Sequence, residues 1–206
     1  MFITFEGPEG CGKSTQSKKL KNHLEARGHK VLLTIEPGGT QVGKQIREVL
    51  LDPTSVLDDA SEVYLFAADR SEHVSKIIRP ALDQGKIVLC DRYVDSTLAY
   101  QIGGRQLPED LVRYLCMVSS KGLVPDLTIL LDVPPEIGLK RALKDGEADR
   151  FEKEKQLFHE RVRAKYLQLA NDDPERIKII DSSQRTIDDI QEEIRKIVEG
   201  KLNEKQ

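Results

Sequence analysis

Gly7-Pro8-Glu9-Gly10-Cys11-Gly12-Lys13-Ser14, followed by Thr15, fits the pattern G-x-x-x-x-G-K-[ST], and its flanks decide the fold. In front, Phe2-Ile3-Thr4-Phe5 is β-branched and aromatic, as a buried strand is. Behind, Gln16 to Arg27 carries Leu20 and Leu24 four apart among lysines and a glutamate, one apolar stripe of a helix. Strand, glycine loop and helix together make a phosphate cradle. The glycines let the backbone turn its N–H groups inward, and the helix adds its positive N-terminal end. Lys13 reaches the β- and γ-phosphate oxygens, and the Ser14 hydroxyl is a ligand for Mg²⁺. The bland alternative is a glycine-rich turn that mimics the pattern, and the matching flanks count against it.

Outward from the loop, short apolar strands alternate with helices. Lys30 to Ile35 predicts a second strand, ending at Glu36-Pro37-Gly38-Gly39-Thr40, where Thr40 caps a helix to about Leu51. A longer helix runs from about Asp59 to Gln84, strained or kinked at Arg79-Pro80. Lys86 to Cys90 is the third strand and ends at Asp91-Arg92-Tyr93. Asp95 to Gln101 reads as helical, Ile102-Gly103-Gly104-Arg105 as a turn, and Pro108 opens a helix to about Lys121. Leu127 to Leu131 is a fourth strand, and Pro134-Pro135 starts a helix through Leu143. The polar stretch Asp145 to Arg150 precedes a helix from Phe158 to Ala170, a fifth strand over Ile177 to Ile180 and a closing amphipathic helix.

The alternation implies an α/β protein with the P-loop NTPase three-layer fold, a five-stranded parallel sheet with helices on both faces. Ligands then belong beyond the carboxyl ends of the strands. That geometry gathers Glu9, Lys13, Glu36, Asp91, Arg92 and Asp181 on one rim. Residues 1–206 read as a single domain, with a short lid at about 144–151.

Composition narrows the class. Of 206 residues, 38% are hydrophobic and 33% charged, and the net charge of -3 leaves no basic footprint for nucleic acid. No apolar run approaches a membrane span, and Met1 opening onto the first strand predicts no secretory leader. Three scattered cysteines (Cys11, Cys90, Cys116) lack metal-ligand spacing and predict a reducing, cytoplasmic setting. Cys11 is either a thiol activated by the helix end or a small residue that the loop tolerates.

The guanine motif N-K-x-D and the switch D-x-x-G of GTPases are both absent. Instead Asp91, at the end of an apolar strand, is followed by Arg92, which suits a small-molecule kinase. The carboxylate serves the Mg²⁺ shell and the guanidinium grips an acceptor phosphate. The alternative is a salt-bridged strand terminus. Phosphoryl transfer between anions needs clustered cations, and Lys13, Arg47, Arg92, Arg141 and Arg150 are the candidates. Any one of them alone reads as a surface ion pair.

Phe5-Glu6-Gly7-Pro8-Glu9-Gly10-Cys11-Gly12-Lys13-Ser14-Thr15, Glu36-Pro37-Gly38-Gly39-Thr40, Asp91-Arg92-Tyr93, Ser96-Thr97-Leu98-Ala99-Tyr100-Gln101 and Pro125-Asp126-Leu127-Thr128 occur in this order. The whole resembles the bacterial thymidylate kinases, over nearly the full chain. The resemblance implies transfer of the γ-phosphoryl of ATP to dTMP in a Mg²⁺-dependent, cytoplasmic homodimer, paired through the long middle helices. By resemblance, Phe66 stacks on thymine and Arg70 donates to a base carbonyl, whereas the residues alone leave Phe66 open as a core side chain. Ser96, Thr97 and Gln101 belong to the base and sugar side, Tyr100 packs beside the sugar, and Glu9 accepts its 3′-OH. Arg47 and Arg92 bind the acceptor phosphate, Asp91 and Glu36 attend to Mg²⁺ and its waters, and Arg141 lies against adenine beside the stretch Asp181 to Gln184.

Three departures stand out. Ile35 replaces the usual arginine before Glu-Pro-Gly-Gly-Thr, and Ile102 replaces a glycine after Tyr-Gln. The lid has Leu143, Lys144 and Asp145 where several relatives place arginines. The loop residues Pro8, Glu9, Gly10 and Cys11 supply no arginine, so the resemblance makes Arg150 the catalytic lid cation, with Lys144 in reserve. The rivals are a P-loop kinase with another acceptor, a nucleotide-binding regulator and, least favoured, a nucleic-acid-binding module.

Overall fold

A computed structural model describes residues 1–143 and 148–204. Five strands, β1 (Phe2–Glu6), β2 (Val31–Ile35), β3 (Ile87–Asp91), β4 (Leu127–Asp132) and β5 (Ile177–Asp181), form one parallel sheet in the order β2-β3-β1-β4-β5. The chain builds one side of β1 first and then crosses to the other. The switch point therefore falls at the end of β1, where the phosphate loop begins.

Alternation along the strands explains the layering. Ile3, Phe5, Leu89, Ile129 and Leu131 point to one face, where they pack on Leu20 and Leu24 of α1 (Lys13–Ala26) and on Ile190, Ile194 and Val198 of α9 (Ile187–Asn203). Phe2, Val88 and Cys90 point the other way, onto Val74, Ile78 and Ala81. Leu130 and Ile177, also on that side, meet Val112 and Cys116 of α6 (Glu109–Ser120) and Val162 and Tyr166 of α8 (Gln156–Asp172). Burial on both faces is what a parallel sheet requires.

The remaining helices are α2 (Gln41–Leu51), α3 (Asp59–His73), α4 (Arg79–Asp83), α5 (Val94–Thr97) and α7 (Pro135–Ala142). Thr40 caps α2 as expected, its hydroxyl accepting from the Gly43 N–H at 2.9 Å. The long helix expected over Asp59 to Gln84 is three pieces, with a wide π turn at Val74–Ile78 joining α3 to α4. The break falls just before Pro80, which has no N–H for the ladder.

Ile102-Gly103-Gly104-Arg105 is not the expected turn. Leu98–Gly104 continues α5 as a second π-helical stretch. Its two glycines serve close packing: a Cβ on Gly104 would strike the Phe158 ring, and one on Gly103 would sit 2.8 Å from the Lys165 side chain. Arg161 of α8 donates to the carbonyls of both glycines.

Candidate active site

A chamber of about 640 Å³ opens at the carboxyl ends of the strands. The phosphate loop forms its floor. Gly10 has φ 63°, and a Cβ there would collide with the carbonyl of Gly138, so only glycine lets α7 lie against the loop. The Lys13 ammonium donates to the carbonyls of Pro8 and Gly7 at 2.9 and 3.1 Å. Cys11 Sγ, 3.4 Å from that ammonium, is buried in the core and reads as a packing residue. The Ser14 hydroxyl donates to Asp91 at 2.6 Å, which joins the start of α1 to the end of β3.

Arg92 follows β3 in a left-handed conformation (φ 68°), backbone strain of the kind found at functional sites. Its N–H is fixed to the Phe5 carbonyl. The guanidinium donates to both oxygens of Glu9 at 2.9 Å and lies over the Tyr100 ring at 5.0 Å. It also reaches the Gly7 carbonyl and the Ser96 and Tyr166 hydroxyls at 3.1–3.3 Å. Tyr100 donates to Glu9 at 2.5 Å. Burial alone would raise the Glu9 carboxyl, but Arg92, Lys13 and the Tyr100 hydroxyl outweigh it and hold it at about 2.

Glu6, at the end of β1, supports this arrangement from below. It accepts from the Ser96 hydroxyl at 2.5 Å and the Tyr93 N–H at 2.8 Å, and burial with nearby Asp95 pushes its carboxyl up to about 7. Sequence reading passed over Glu6, because a glutamate at a strand end gives no sign of whether water reaches it.

On the β2–β3 side the wall is a buried polar belt. Arg70 donates to Glu36 and Thr97 at 2.9 Å and to the Tyr93 carbonyl at 3.0 Å. The second Glu36 oxygen meets His73 at 2.9 Å, and His73 reaches Thr34 at 2.6 Å. Both oxygens of Glu36 are thus engaged by protein side chains. Asp69 accepts from the Gly38 N–H, and burial beside Glu36 pushes it up to about 6. Arg47 donates to the Pro37 carbonyl at 2.8 Å. Burial and repulsion from Arg92 lower its pKa, a conflict that an anion between the two would relieve. Phe66 packs on the core and also lines the chamber. Ile35, in the place of an expected arginine, also lines it.

On the β4–β5 side Arg141 donates to the carbonyls of Ser182 and Ser183 at 2.9 and 2.6 Å, beside Ile187 and Ile190. Asp181 ends β5 on the rim but does not line the chamber. Its side chain turns back to accept from the Ser183 N–H and is absent from the chamber wall among the described residues.

Lys13, Arg47, Arg92 and Arg141 therefore converge on one chamber, and Arg150 does not. Arg150 pairs with Glu62 at 2.7 Å and donates to the Leu50 carbonyl at 2.8 Å. Lys144 and the stretch from Asp145 to Glu147 lie outside the described residues.

The sequence profile described as Thymidylate kinase matches residues 5–194. The chain belongs to the thymidylate kinase family. It is 46% identical over 194 residues to the thymidylate kinase of Deinococcus radiodurans, covering 94% of each chain. With that of Geotalea daltonii it shares 48% over 210 residues, covering 98% of each. The fold superimposes on the crystal structure of thymidylate kinase from Ehrlichia chaffeensis with a TM-score of 0.79 at 36% identity, covering 97% of this chain and 98% of that one. Within this family frame, Glu6, Glu62, Asp69, His73 and Tyr166 are among the buried polar partners that sequence reading did not single out.

Proposed function

We propose that the two halves of the chamber take two nucleotides, with their phosphates meeting over the loop. As a member of the thymidylate kinase family, the chain is a phosphotransferase that moves the γ-phosphoryl group of ATP to dTMP, giving dTDP and ADP. We assign the triphosphate to Gly7–Thr15 and Lys13, with adenine against Arg141. The acceptor is assigned to the opposite half, its base against Phe66 and near Arg70, Thr97 and Gln101.

The observation that carries this reading is that Arg47 and Arg92, both partly buried, line one chamber and repel each other, a conflict that an acceptor phosphate relieves. A phosphate oxygen of dTMP attacks the γ-phosphorus as the bond to the β–γ bridging oxygen breaks. Lys13 and Arg92 neutralise the charge spread over the transferred group. Glu9, ionised at any physiological pH, accepts the sugar 3′-OH and holds Arg92 in line.

Ser14 and Asp91 fit Mg²⁺: a hydroxyl and a carboxylate 2.6 Å apart, oxygen donors only, leaving room for waters and phosphates. Ser14 and Asp91 would hold the ion, which would supply positive charge against the negative charge that builds on the transferred phosphoryl group. Glu36, with both oxygens engaged, supports the acceptor wall and takes at most water-mediated part in that shell. Arg150 as a catalytic cation requires release from Glu62. We read α3 and α6 as the homodimer face, because Tyr64, Tyr114, Met117 and Val118 stand exposed there. The setting is read as cytoplasmic: among the described residues no helix is long and apolar enough to cross a membrane, and the three cysteines are free.

A coupled ADP-release assay tests the acceptor, with ATP and Mg²⁺ and with dTMP, dUMP, UMP, CMP, AMP and GMP in parallel. Strong turnover on dTMP, less on dUMP and little on the rest is expected. A flat response would remove the thymine assignment. Light scattering of the purified chain checks the dimer.

A further inference from the structure

Glu62 of α3 is 1% exposed, yet it is the most heavily engaged carboxylate outside the phosphate loop. Arg150 approaches one of its oxygens at 2.7 Å, Arg105 donates to both at 3.0–3.2 Å, and the Gln101 amide donates at 2.8 Å. Arg105 carries a second partner, Glu154 at 2.5 Å. Two arginines and an amide thus meet one buried carboxylate, and Arg150 and Glu154 both come from residues 148–155. The backbone adds to the clamp, since the Arg150 N–H donates to the Leu51 carbonyl at 3.2 Å. Inside the stretch, Asp149 accepts from the N–H groups of Phe151 and Glu152 at 2.8 and 2.9 Å, which fixes its turn.

This clamp fixes Phe151. Its ring lines the chamber 5.7 Å from the Tyr100 ring and 6.0 Å from the Phe66 ring, with the Arg150 guanidinium over it at 4.5 Å. Phe66, Tyr100 and Phe151 together form an aromatic corner on the β2–β3 half. Glu62 also decides which end of the Gln101 amide is free. With the NH₂ group held by the carboxylate, the amide oxygen remains as an acceptor, which suits an N–H donor on a base edge.

We propose that Glu62 is a positioning residue that docks residues 148–155 onto the acceptor half of the chamber, making Phe151 a wall of the dTMP pocket. The inference rests on the reading of that half as the acceptor site.

The chain has no tryptophan, so Phe151→Trp introduces at the wall the sole tryptophan, which can be excited selectively over the tyrosines. Titration with dTMP alone should change its emission, and titration with ATP alone should leave it unchanged. Adding Glu62→Gln should red-shift the nucleotide-free emission as the stretch leaves its dock. In the Glu62→Gln single variant the KM for dTMP should rise about tenfold or more, with the KM for ATP within about twofold. That split is one which general destabilisation would not produce. Should Glu62→Gln fail to fold by circular dichroism, Phe151→Ala, which removes only the wall, must show the same KM split. Emission that answers ATP and not dTMP, or a KM for dTMP unmoved in the folded variants, overturns the proposal. A wild-type chain inactive on dTMP would instead sink the acceptor reading. The nucleotide-free red shift would still report on the dock.

Discussion

Arg92 and Glu9 face each other across the phosphate loop with both Glu9 oxygens at 2.9 Å from a single guanidinium nitrogen. The pair fixes the Arg92 guanidinium in the chamber with a carboxylate that stays charged. Glu9→Gln removes the charge and keeps the shape. Acceptor kcat/KM should fall about a hundredfold, measured at saturating ATP.

The same pair sets an acid limit. The Glu9 pKa is lowered from 4.5 to about 2 on folding, so its stabilisation is present above pH 4.5 and is lost as pH falls towards 2. A shift of that size is worth about 3 kcal/mol. Urea unfolding across this window should show the loss in the wild type and a flatter profile in Glu9→Gln.

Glu6 acts in the opposite direction. Its folded pKa is raised to about 7, so the folded chain holds a proton that the unfolded chain has released, and stability falls as pH rises from 4.5 to 7. Glu6→Gln should remove the part of that fall between about pH 6 and 7 and leave the part that Asp69, raised to about 6, adds below it. A slope that persists between pH 6 and 7 would assign that part to another group.

Arg70→Ala strands the Glu36 carboxylate in the core with His73 as its remaining partner among the described residues. Loss of one member of a buried pair costs about 3–5 kcal/mol, so a lowered melting temperature should accompany any loss of acceptor affinity. Thermal unfolding with and without dTMP separates the two.

Lys13→Ala should leave the fold and its melting temperature nearly unchanged and cut kcat about a hundred- to a thousandfold in single-turnover assays.

All five strands, the phosphate loop and the Thr40 cap were legible because each depends on neighbours in sequence. Gly103 and Gly104 were not. A glycine pair signals freedom or closeness equally well, and only the approach of α8 decides between them. Arg150 reads as the catalytic lid cation because its attraction to a phosphate is chemically sound, while its attraction to Glu62 is a matter of tertiary distance. Asp181 failed for a smaller reason, its local hydrogen bond to Ser183. The site residues contributed by the loop and by Asp91-Arg92 were readable because a strand end fixes direction as well as position. The buried carboxylates Glu6 and Glu62 carry no mark in sequence that tells them from the many exposed glutamates.

The Lys13 ammonium, held by the carbonyls of Gly7 and Pro8, makes phosphate capture an exchange of partners. A ligand has to outbid two backbone dipoles for the same cation before it gains anything from it. A polyanion does so easily, and a neutral nucleoside brings nothing to trade. The loop therefore works as a charge filter ahead of any reading of the base, turning away dephosphorylated look-alikes by the competition it stages against itself.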